Sequence, residues 1–261
     1  MNRSQQKQLV ENHFSKVADS WAARYTNDMS FQSYNFIVRR EHVLQLFDKR
    51  QGRYLDAGCG SGDFIPALLE RGGEVFAIDV AAQMISQAKA RFCALDSTQR
   101  LHLFQTDVTN LDFPENYFDA IIAVGLIEYL SIDEPVLEEF YRVLKPGGIL
   151  ILTVPNLVSP FMAFDTLMSH VKRFIQYVSA WIRGHDLAPA FIHRHFFPWK
   201  LDRQLRQIGF HKLDYAYCTY GFFSVPRVGA IFLPLCRRLD RFPRSPLAIL
   251  GTNYLVKVTK P

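Results

Sequence analysis

The sequence predicts an α/β fold built on a parallel sheet. Between residues 53 and 154, short apolar segments typical of buried strands alternate with segments that have helical periodicity. A glycine-rich turn directly after the first apolar segment indicates that a ligand binds where the strands end. The chain has 261 residues, of which 49% are hydrophobic. That length and composition suit one α/β domain with additions.

Composition and charge restrict the compartment and the partners. The four cysteines include no C-x-x-C pair and no zinc spacing, which favours a reducing compartment. The first residues lack the apolar core of a signal peptide, so we expect a cytoplasmic protein. The formal net charge is −5 over residues 1–156 and +10 over residues 157–261. The basic part either meets an anionic partner or is simply a solvated surface.

The glycine-rich turn carries the most specific pattern. Gly58, Gly60 and Gly62 recur at a spacing of two, which lets the backbone adopt positive φ and approach a ligand closely. A helix expected to begin near Asp63 points its free N–H groups at the same place. The whole string, D-A-G-C-G-S-G-D-F from Asp56 onwards, resembles motif I of class I S-adenosylmethionine (SAM)-dependent methyltransferases. The dinucleotide pattern of nicotinamide oxidoreductases, G-x-G-x-x-G, is spaced differently.

Further stretches follow in the order and at the intervals of that family. Asp79 ends the second predicted strand, where a βαβ unit places a carboxylate against the ribose hydroxyls; alternatively it caps the next helix. The resemblance implies that Asp107 binds the adenine amino group and that Val108 offers its backbone and an apolar face. Residues 111–119 resemble the family signature L-x-F-P-x-x-x-F-D, and residues 142–148 its following turn.

The resemblance covers about residues 50–156 and implies the fold and the cofactor. The fold would be a Rossmann-like seven-stranded sheet with helices on both faces and strand 7 antiparallel. The cofactor would be SAM, with S-adenosylhomocysteine as its product. The predicted cofactor-binding residues are Asp56, Gly58, Cys59, Gly60, Gly62, Asp79, Val80, Met84, Asp107, Val108, Val124 and Gly125.

Four parts of the chain are expected. Residues 1–50 form a helical lid in the family, where Tyr25 and Arg39 would touch the methionine end of the cofactor; otherwise Tyr25 packs in the core and Arg39 is a surface charge. The other parts are a SAM-binding core (51–156), a helical insertion or substrate lid (157–197), and a segment that completes the sheet (198–261) and contains an apolar and basic insertion (221–251).

The two insertions bear on the acceptor. An amphipathic helical pattern of roughly 25 residues follows residue 156 and either packs on the domain as a lid or lies in a membrane interface. The apolar run 228–236 is too short to span a bilayer. With the arginines that follow it, the run suits anionic lipid or a long apolar acceptor with a phosphate head. The apolar content and the lack of an RNA-binding motif argue against nucleic acid.

Substrate chemistry is expected after strand 4 and before the last helix of the core. Residues 125–130 resemble the L-E-H-V run of ubiquinone-pathway O-methyltransferases, some of which hold a metal ion there. Tyr129 replaces that histidine and Gly125 an acid, which leaves Glu128 as one carboxylate, and we predict no required metal. His193 and His195 are candidate proton acceptors, because an imidazole takes up a proton near pH 7; either could instead only hydrogen-bond the start of that helix.

These expectations combine into one function. We expect a SAM-dependent methyltransferase that methylates a hydroxyl group of a small, lipophilic or phosphate-bearing acceptor, in the cytoplasm or at the surface of an anionic membrane. Two alternatives stay open: N- or C-methylation of a polar small molecule, and a non-catalytic SAM-binding or membrane-associated protein. The residues do not distinguish the acceptor atom.

Overall fold

A mixed seven-stranded sheet forms the centre of the molecule. The computed structural model describes residues 2–21, 31–49, 51–92, 99–183, 185, 191–221 and 226–261. Within them the strands are β1 (Gly52–Ala57), β2 (Gly73–Asp79), β3 (Leu101–Gln105), β4 (Phe118–Val124), β5 (Leu144–Pro155), β6 (His211–Cys218) and β7 (Asn253–Thr259). The helices are α1 (Arg3–Trp21), α2 (Phe31–Leu46), α3 (Ile65–Glu70), α4 (Ala82–Phe92), α5 (Glu134–Val143), α6 (Pro160–Ile182), α7 (Pro198–Ile208) and α8 (Pro226–Asp240).

The strand order places a crevice at the middle of the sheet. The order is β3-β2-β1-β4-β5-β7-β6. Strands β1 to β5 are parallel, whereas β7 pairs antiparallel with both β5 and β6. The predicted sheet with an antiparallel strand 7 is therefore confirmed. Because the chain moves outwards from β1 to β3 and then returns to β4, the crevice opens between β1 and β4, at the carboxyl ends of the strands.

Both faces of the sheet are covered by helices. In β1, Leu55 and Ala57 enter one apolar cluster and Tyr54 the other, as the alternation of a strand requires. Residues of α5 and α7 complete the first cluster, while residues of α2, α3, α4 and α8 complete the second. A sheet buried on both faces explains why its strands read as nearly continuous apolar runs in the sequence.

The chain after β5 is fastened before α6 begins. The side-chain nitrogen of Asn156 donates hydrogen bonds to the carbonyl oxygens of Ile249 and Gly251, both at 2.8 Å. The Ser159 hydroxyl donates to Leu250 O and caps the helix. Pro160 occupies the first helical position, where its missing N–H costs nothing, so α6 is continuous. Among the described residues, no helix has the length and apolar character needed to cross a membrane.

We predict that Gly62 is required for packing beneath the glycine turn. Its φ is +85°, and a Cβ there would lie 2.6 Å from Ile65 Cδ1 and 2.9 Å from the Phe92 ring. Gly147 is a matched control, because its φ is +72° but nothing lies within 4 Å of its Cβ position. Gly147→Ala should cost about 1–2 kcal/mol of unfolding free energy through backbone strain, and Gly62→Ala about 1–3 kcal/mol more through overpacking.

Urea denaturation of the two variants, without added ligand, measures the difference. Equal losses of unfolding free energy would contradict the packing role of Gly62.

Candidate functional site

A cavity of about 730 Å³ opens at the carboxyl ends of the parallel strands. The glycine turn forms its floor, α1 and α2 one side, and the segments after β4 and before α7 the other. Of the twelve predicted cofactor-binding residues, only Gly62 is not part of the lining. The structure brings together Asp56, Gly58, Cys59, Gly60, Asp79, Val80, Met84, Asp107, Val108, Val124 and Gly125. Their individual roles stay predictions.

The carboxylate of Asp79 holds the glycine turn in place. One of its oxygens accepts a hydrogen bond from Gly60 N at 2.9 Å, and the other accepts one from Ala81 N at 2.8 Å, just before α4. Burial raises the pKa of Asp79 despite these backbone donors. Asp79 therefore does stabilise the start of the next helix, as the alternative proposed. Each carboxylate oxygen has two lone pairs, so both can still accept a ligand hydroxyl.

Asp56 is a buried acid with an unsatisfied oxygen. Its Oδ2 has no hydrogen-bond partner within the described part of the chain. Burial, Asp63 and Asp79 together raise its pKa to about 8. Asp63 itself is held by the Ser61 hydroxyl at 2.8 Å and by Arg91 at 3.0 Å. A cationic or N–H-bearing ligand would relieve both the repulsion and the missing hydrogen bond at Asp56.

Helix α1 lies across the cavity and is hydrogen-bonded to two of its walls. Gln6 donates to the carbonyl oxygens of Tyr129 and Ile192 and accepts a hydrogen bond from Ile192 N, each at 2.8 Å. The next residue, Lys7, pairs with Asp107, with Lys7 Nζ 2.8 Å from Asp107 Oδ2. Although burial alone would raise the pKa of Asp107, hydrogen bonds from Lys7 and Thr109 hold it below its ordinary value. No motif or spacing in the sequence indicates that Gln6 or Lys7 belongs to the site.

Aromatic side chains line the half of the cavity beneath α1. The ring centroid of Phe14 lies 5.2 Å from that of Trp21 and 5.1 Å from that of Tyr129. Trp21 also stands over the glycine turn, since a Cβ at Gly60 would lie 3.4 Å from its indole nitrogen. This explains the apolar periodicity of α1. Tyr25, the aromatic residue expected to touch the methionine end of the cofactor, lies outside the described residues.

The two candidate histidines are not equivalent. His193 lines the cavity, with its ring centroid 5.0 Å from that of Tyr129 and 5.2 Å from that of His195. Protein surrounds the His193 ring on most sides although its rim is open to the cavity, and burial, His195 and Arg39 lower its pKa to about 4. His195 is not part of the lining, and burial lowers its pKa as well. His13, which was not a candidate from its sequence context, also lines the cavity.

Glu128 is the second buried acid of the site. It follows β4 on a short 3-10 turn, Ile127–Tyr129, and its Oε2 has no hydrogen-bond partner among the residues described. Burial raises its pKa to about 7, against the opposing effect of Arg39. A Cβ at Gly125 would lie 3.5 Å from Glu128 Oε1 and 3.6 Å from Arg39 Nη1. Thus Glu128 and Arg39 both approach the point where β4 ends.

The described residues contain no group of three or more His, Cys, Asp or Glu side chains arranged to hold a metal ion. Within residues 125–130, which follow β4, Glu128 is the one acidic residue, and it lines the cavity. Its contact with the loop before α7 is a hydrogen bond from Arg194 N to Glu128 O at 2.8 Å, and Arg194 also pairs with Asp133 at 2.9 Å.

Comparison with known proteins agrees with this geometry. Residues 55–152 match the family model described as "Methyltransferase domain". These residues therefore form a methyltransferase domain. A malonyl-[acyl-carrier protein] O-methyltransferase from Enterobacter lignolyticus (strain SCF1) is 30% identical over 154 residues, 56% of this chain and 59% of the relative. A demethylmenaquinone methyltransferase from Symbiobacterium thermophilum is 25% identical over 234 residues, 85% of this chain and 92% of the relative.

The methyltransferase fold extends beyond the matched domain. The structure of magnesium protoporphyrin IX methyltransferase from Synechocystis PCC 6803, with S-adenosylhomocysteine bound, superimposes with a TM-score of 0.67 over 98% of this chain and all of that one, at 12% identity. Membership of the methyltransferase family implies SAM as the methyl donor. Since the chain spans 59% of the length of the first relative, the activity of the whole protein is a matter for proposal.

We predict that Asp79→Ala weakens SAM binding by about 1.5–3 kcal/mol through lost charge-assisted hydrogen bonds. Isothermal titration calorimetry measures the affinity. Asp119→Asn is the control: Asp119 is a partly buried acid that pairs with Lys145 at 2.8 Å and is not part of the cavity lining, so its loss should leave SAM affinity unchanged. An unchanged affinity for Asp79→Ala would refute the assignment of Asp79 to the ribose.

Proposed function

We propose that the protein transfers the methyl group of SAM to a hydroxyl group of a small, lipophilic acceptor. The observation that carries the proposal is the division of one cavity into two halves. The glycine turn and the acids Asp56, Asp79 and Asp107 line one half, whereas the rings of Phe14, Trp21 and Tyr129 line the other. An apolar half beside a polar, acidic one suits an apolar acceptor beside a charged cofactor.

The residues of the polar half fit SAM. Positive φ values of +71° at Gly58 and +53° at Gly60 favour glycine at both positions, and the absence of side chains lets the backbone of the turn approach a ligand closely. The unsatisfied Oδ2 of Asp56 suits the ammonium or sulfonium charge, and Asp79 retains lone pairs for the ribose hydroxyls. Arg39 is a candidate for the methionine carboxylate. When bound, SAM supplies an electrophilic methyl group on a sulfonium centre, so the protein's task is mainly orientation and desolvation.

Glu128 is the group best placed to take the hydroxyl proton. It lines the cavity, one of its carboxylate oxygens has no partner among the described residues, and its pKa of about 7 matches the operating pH of a general base. With SAM bound, the hydroxyl proton would pass to Glu128 as the methyl group moves from the sulfonium sulfur to the hydroxyl oxygen, and S-adenosylhomocysteine would be the other product. His193 and His195 stay as the sequence-based candidates, but a pKa of about 4 makes His193 a weak base.

The four-part division of the chain belongs to the same proposal. Helices α1 and α2, within residues 1–50, would act as the lid, because α1 closes the cavity through Gln6 and Lys7. Residues 51–156 would bind SAM. Residues 157–197 and the completion of the sheet at 198–261, with its insertion at 221–251, would shape the acceptor side and provide the basic surface.

The relatives support a small-molecule acceptor without fixing the atom. By their names, one acts as an O-methyltransferase on a malonyl group carried by a protein, and the other acts on demethylmenaquinone. A hydroxyl acceptor is favoured here because Glu128 offers a base. The excess of Lys and Arg in residues 157–261 suits a phosphate-bearing acceptor or an anionic membrane surface that contains the acceptor.

We predict that activity rises with pH through about 7, because Glu128 must be ionised to accept a proton. Below its pKa the rate should fall about tenfold per pH unit, and above it the rate should level off. Glu128→Gln should remove this limb and lower kcat by roughly 10²–10⁴-fold with SAM affinity little changed. His193→Asn is the control and should retain the limb, since His193 is neutral throughout this range. A profile that loses its limb only in His193→Asn would reassign the base.

Acceptor class is tested by incubating the purified protein with carbon-13-methyl SAM and separate organic and aqueous extracts of its source cells. We expect label in the organic phase, with a methyl chemical shift typical of a methyl ether, whereas a methyl ester would indicate a carboxylate and contradict the hydroxyl. Label in the aqueous phase alone would contradict a lipophilic acceptor. A methyl shift typical of nitrogen or carbon would contradict the hydroxyl, and no labelled product in either extract would contradict methyl transfer.

A further inference from the structure

Helix α6 exposes a long apolar stripe. None of its 23 residues is buried, and every residue from Ser169 to Val178 is exposed. The exposed fraction reaches 67% for Phe174, 75% for Trp181 and 71% for Ile182. The stripe comprises Leu167, Val171, Phe174, Ile175, Val178, Trp181 and Ile182, whose spacing places all of them on one face of the helix.

Beyond the second turn of α6, the charged side chains on its polar face are all positive. Asp165, in the second turn, is its only acidic residue, and residues 166–183 contain none. Lys172, Arg173 and Arg183 flank the stripe. An amphipathic helix with a basic polar face and with aromatic residues on the apolar one is the type that lies in the plane of a membrane interface.

The first turn of α6 joins this surface to the functional site. Ser159 and Asn156 fasten the start of the helix to the segment that precedes β7. Two residues into the helix, Met162 lines the cavity, while Phe161 packs against the core. The stripe begins about one turn later, at Leu167, on the face of α6 opposite Met162, so one helix carries both a cavity-lining residue and the exposed apolar surface.

We propose that α6 docks in the interface of an anionic lipid bilayer and so holds the domain at the membrane surface. The apolar stripe then lies below the headgroups, and Lys172, Arg173 and Arg183 meet their negative charge. The inference rests on the proposed function, because docking would keep the cavity, which Met162 of the same helix lines, close to the bilayer in which a lipophilic acceptor dissolves.

Charge favours a membrane over a second copy of the chain. A dimer that buried two stripes against each other would bring Lys172, Arg173 and Arg183 of both copies close together. Like charges across an interface oppose association, and residues 166–183 offer no acid to pair with them. Trp181 and Tyr177, 75% and 62% exposed, are of the residue types enriched at membrane–water interfaces.

Co-sedimentation with lipid vesicles tests the proposal. The full chain is mixed with vesicles of phosphatidylglycerol and phosphatidylcholine, or of phosphatidylcholine alone, without acceptor. We expect the protein to bind the anionic vesicles, and to bind them less as the salt concentration is raised. Binding to the neutral vesicles should be at least tenfold weaker. Phe174→Ser/Trp181→Ser and, separately, Lys172→Gln/Arg173→Gln should each weaken binding at least tenfold.

A matched control removes exposed apolar side chains elsewhere. Trp199→Ser/Leu213→Ser changes residues that are 52% and 54% exposed on α7 and β6, and it should leave vesicle binding as in the wild type. SAM affinity by calorimetry should be unchanged in all three variants, which shows that they fold.

Three outcomes would overturn the proposal: no binding to anionic vesicles, equal loss of binding in the control, or a dimer in light scattering that dissociates in Phe174→Ser/Trp181→Ser.

The vesicle assay needs no methyl transfer, and the extract assay needs no vesicles. Methylation of an organic-phase acceptor without vesicle binding would therefore refute the docking alone, whereas vesicle binding without such an acceptor would refute the proposed function, on which the inference rests.

Discussion

The two hydrogen bonds from the backbone to the Asp79 carboxylate hold the site together. They join the end of β2 to the glycine turn at Gly60 and to the start of α4 at Ala81. The arrangement concentrates acidic groups, because burial and repulsion from the carboxylates of Asp63 and Asp79 raise the pKa of Asp56. The unsatisfied oxygen of Asp56 shows that the protein's own donors do not relieve this repulsion within the described residues. A site of this kind suits a cationic ligand. Without that ligand, the buried acids lower the stability of the folded protein.

Helix α1 couples the two halves of the cavity. Lys7 pairs with Asp107 on the acidic side, and Gln6, one residue earlier, holds the backbone of Tyr129 and Ile192 on the aromatic side. A displacement of α1 would break both sets of contacts at once. Because Trp21 of the same helix stands over Gly60, the helix also covers the glycine turn.

The sequence predicts the parts of the molecule that depend on local pattern. The alternation of strands and helices expected between residues 53 and 154 is observed, because periodicity and turn residues indicate where each element lies. Strand-end acids such as Asp79 are predictable, since parallel strands bring their carboxyl ends to one edge. The contacts of Gln6 are not, because they join residues 123 and 186 positions apart. Likewise, spacing in a loop without periodicity does not reveal that His193 lines the cavity and His195 does not.

In helices α5 and α6, hydrophobic periodicity does not distinguish a buried apolar face from an exposed one, whereas the distribution of charge does. Both are amphipathic, yet α5 buries Val136, Leu137 and Phe140 in the core whereas α6 buries nothing. Periodicity alone does not say what covers an apolar stripe. The polar face of α5 mixes acids with Arg142, and Arg142 pairs with Glu139 of the same helix at 2.6 Å. The second half of α6 carries bases alone, and a surface that combines exposed rings with charge of one sign is best satisfied by a partner that is apolar within and negative at its face.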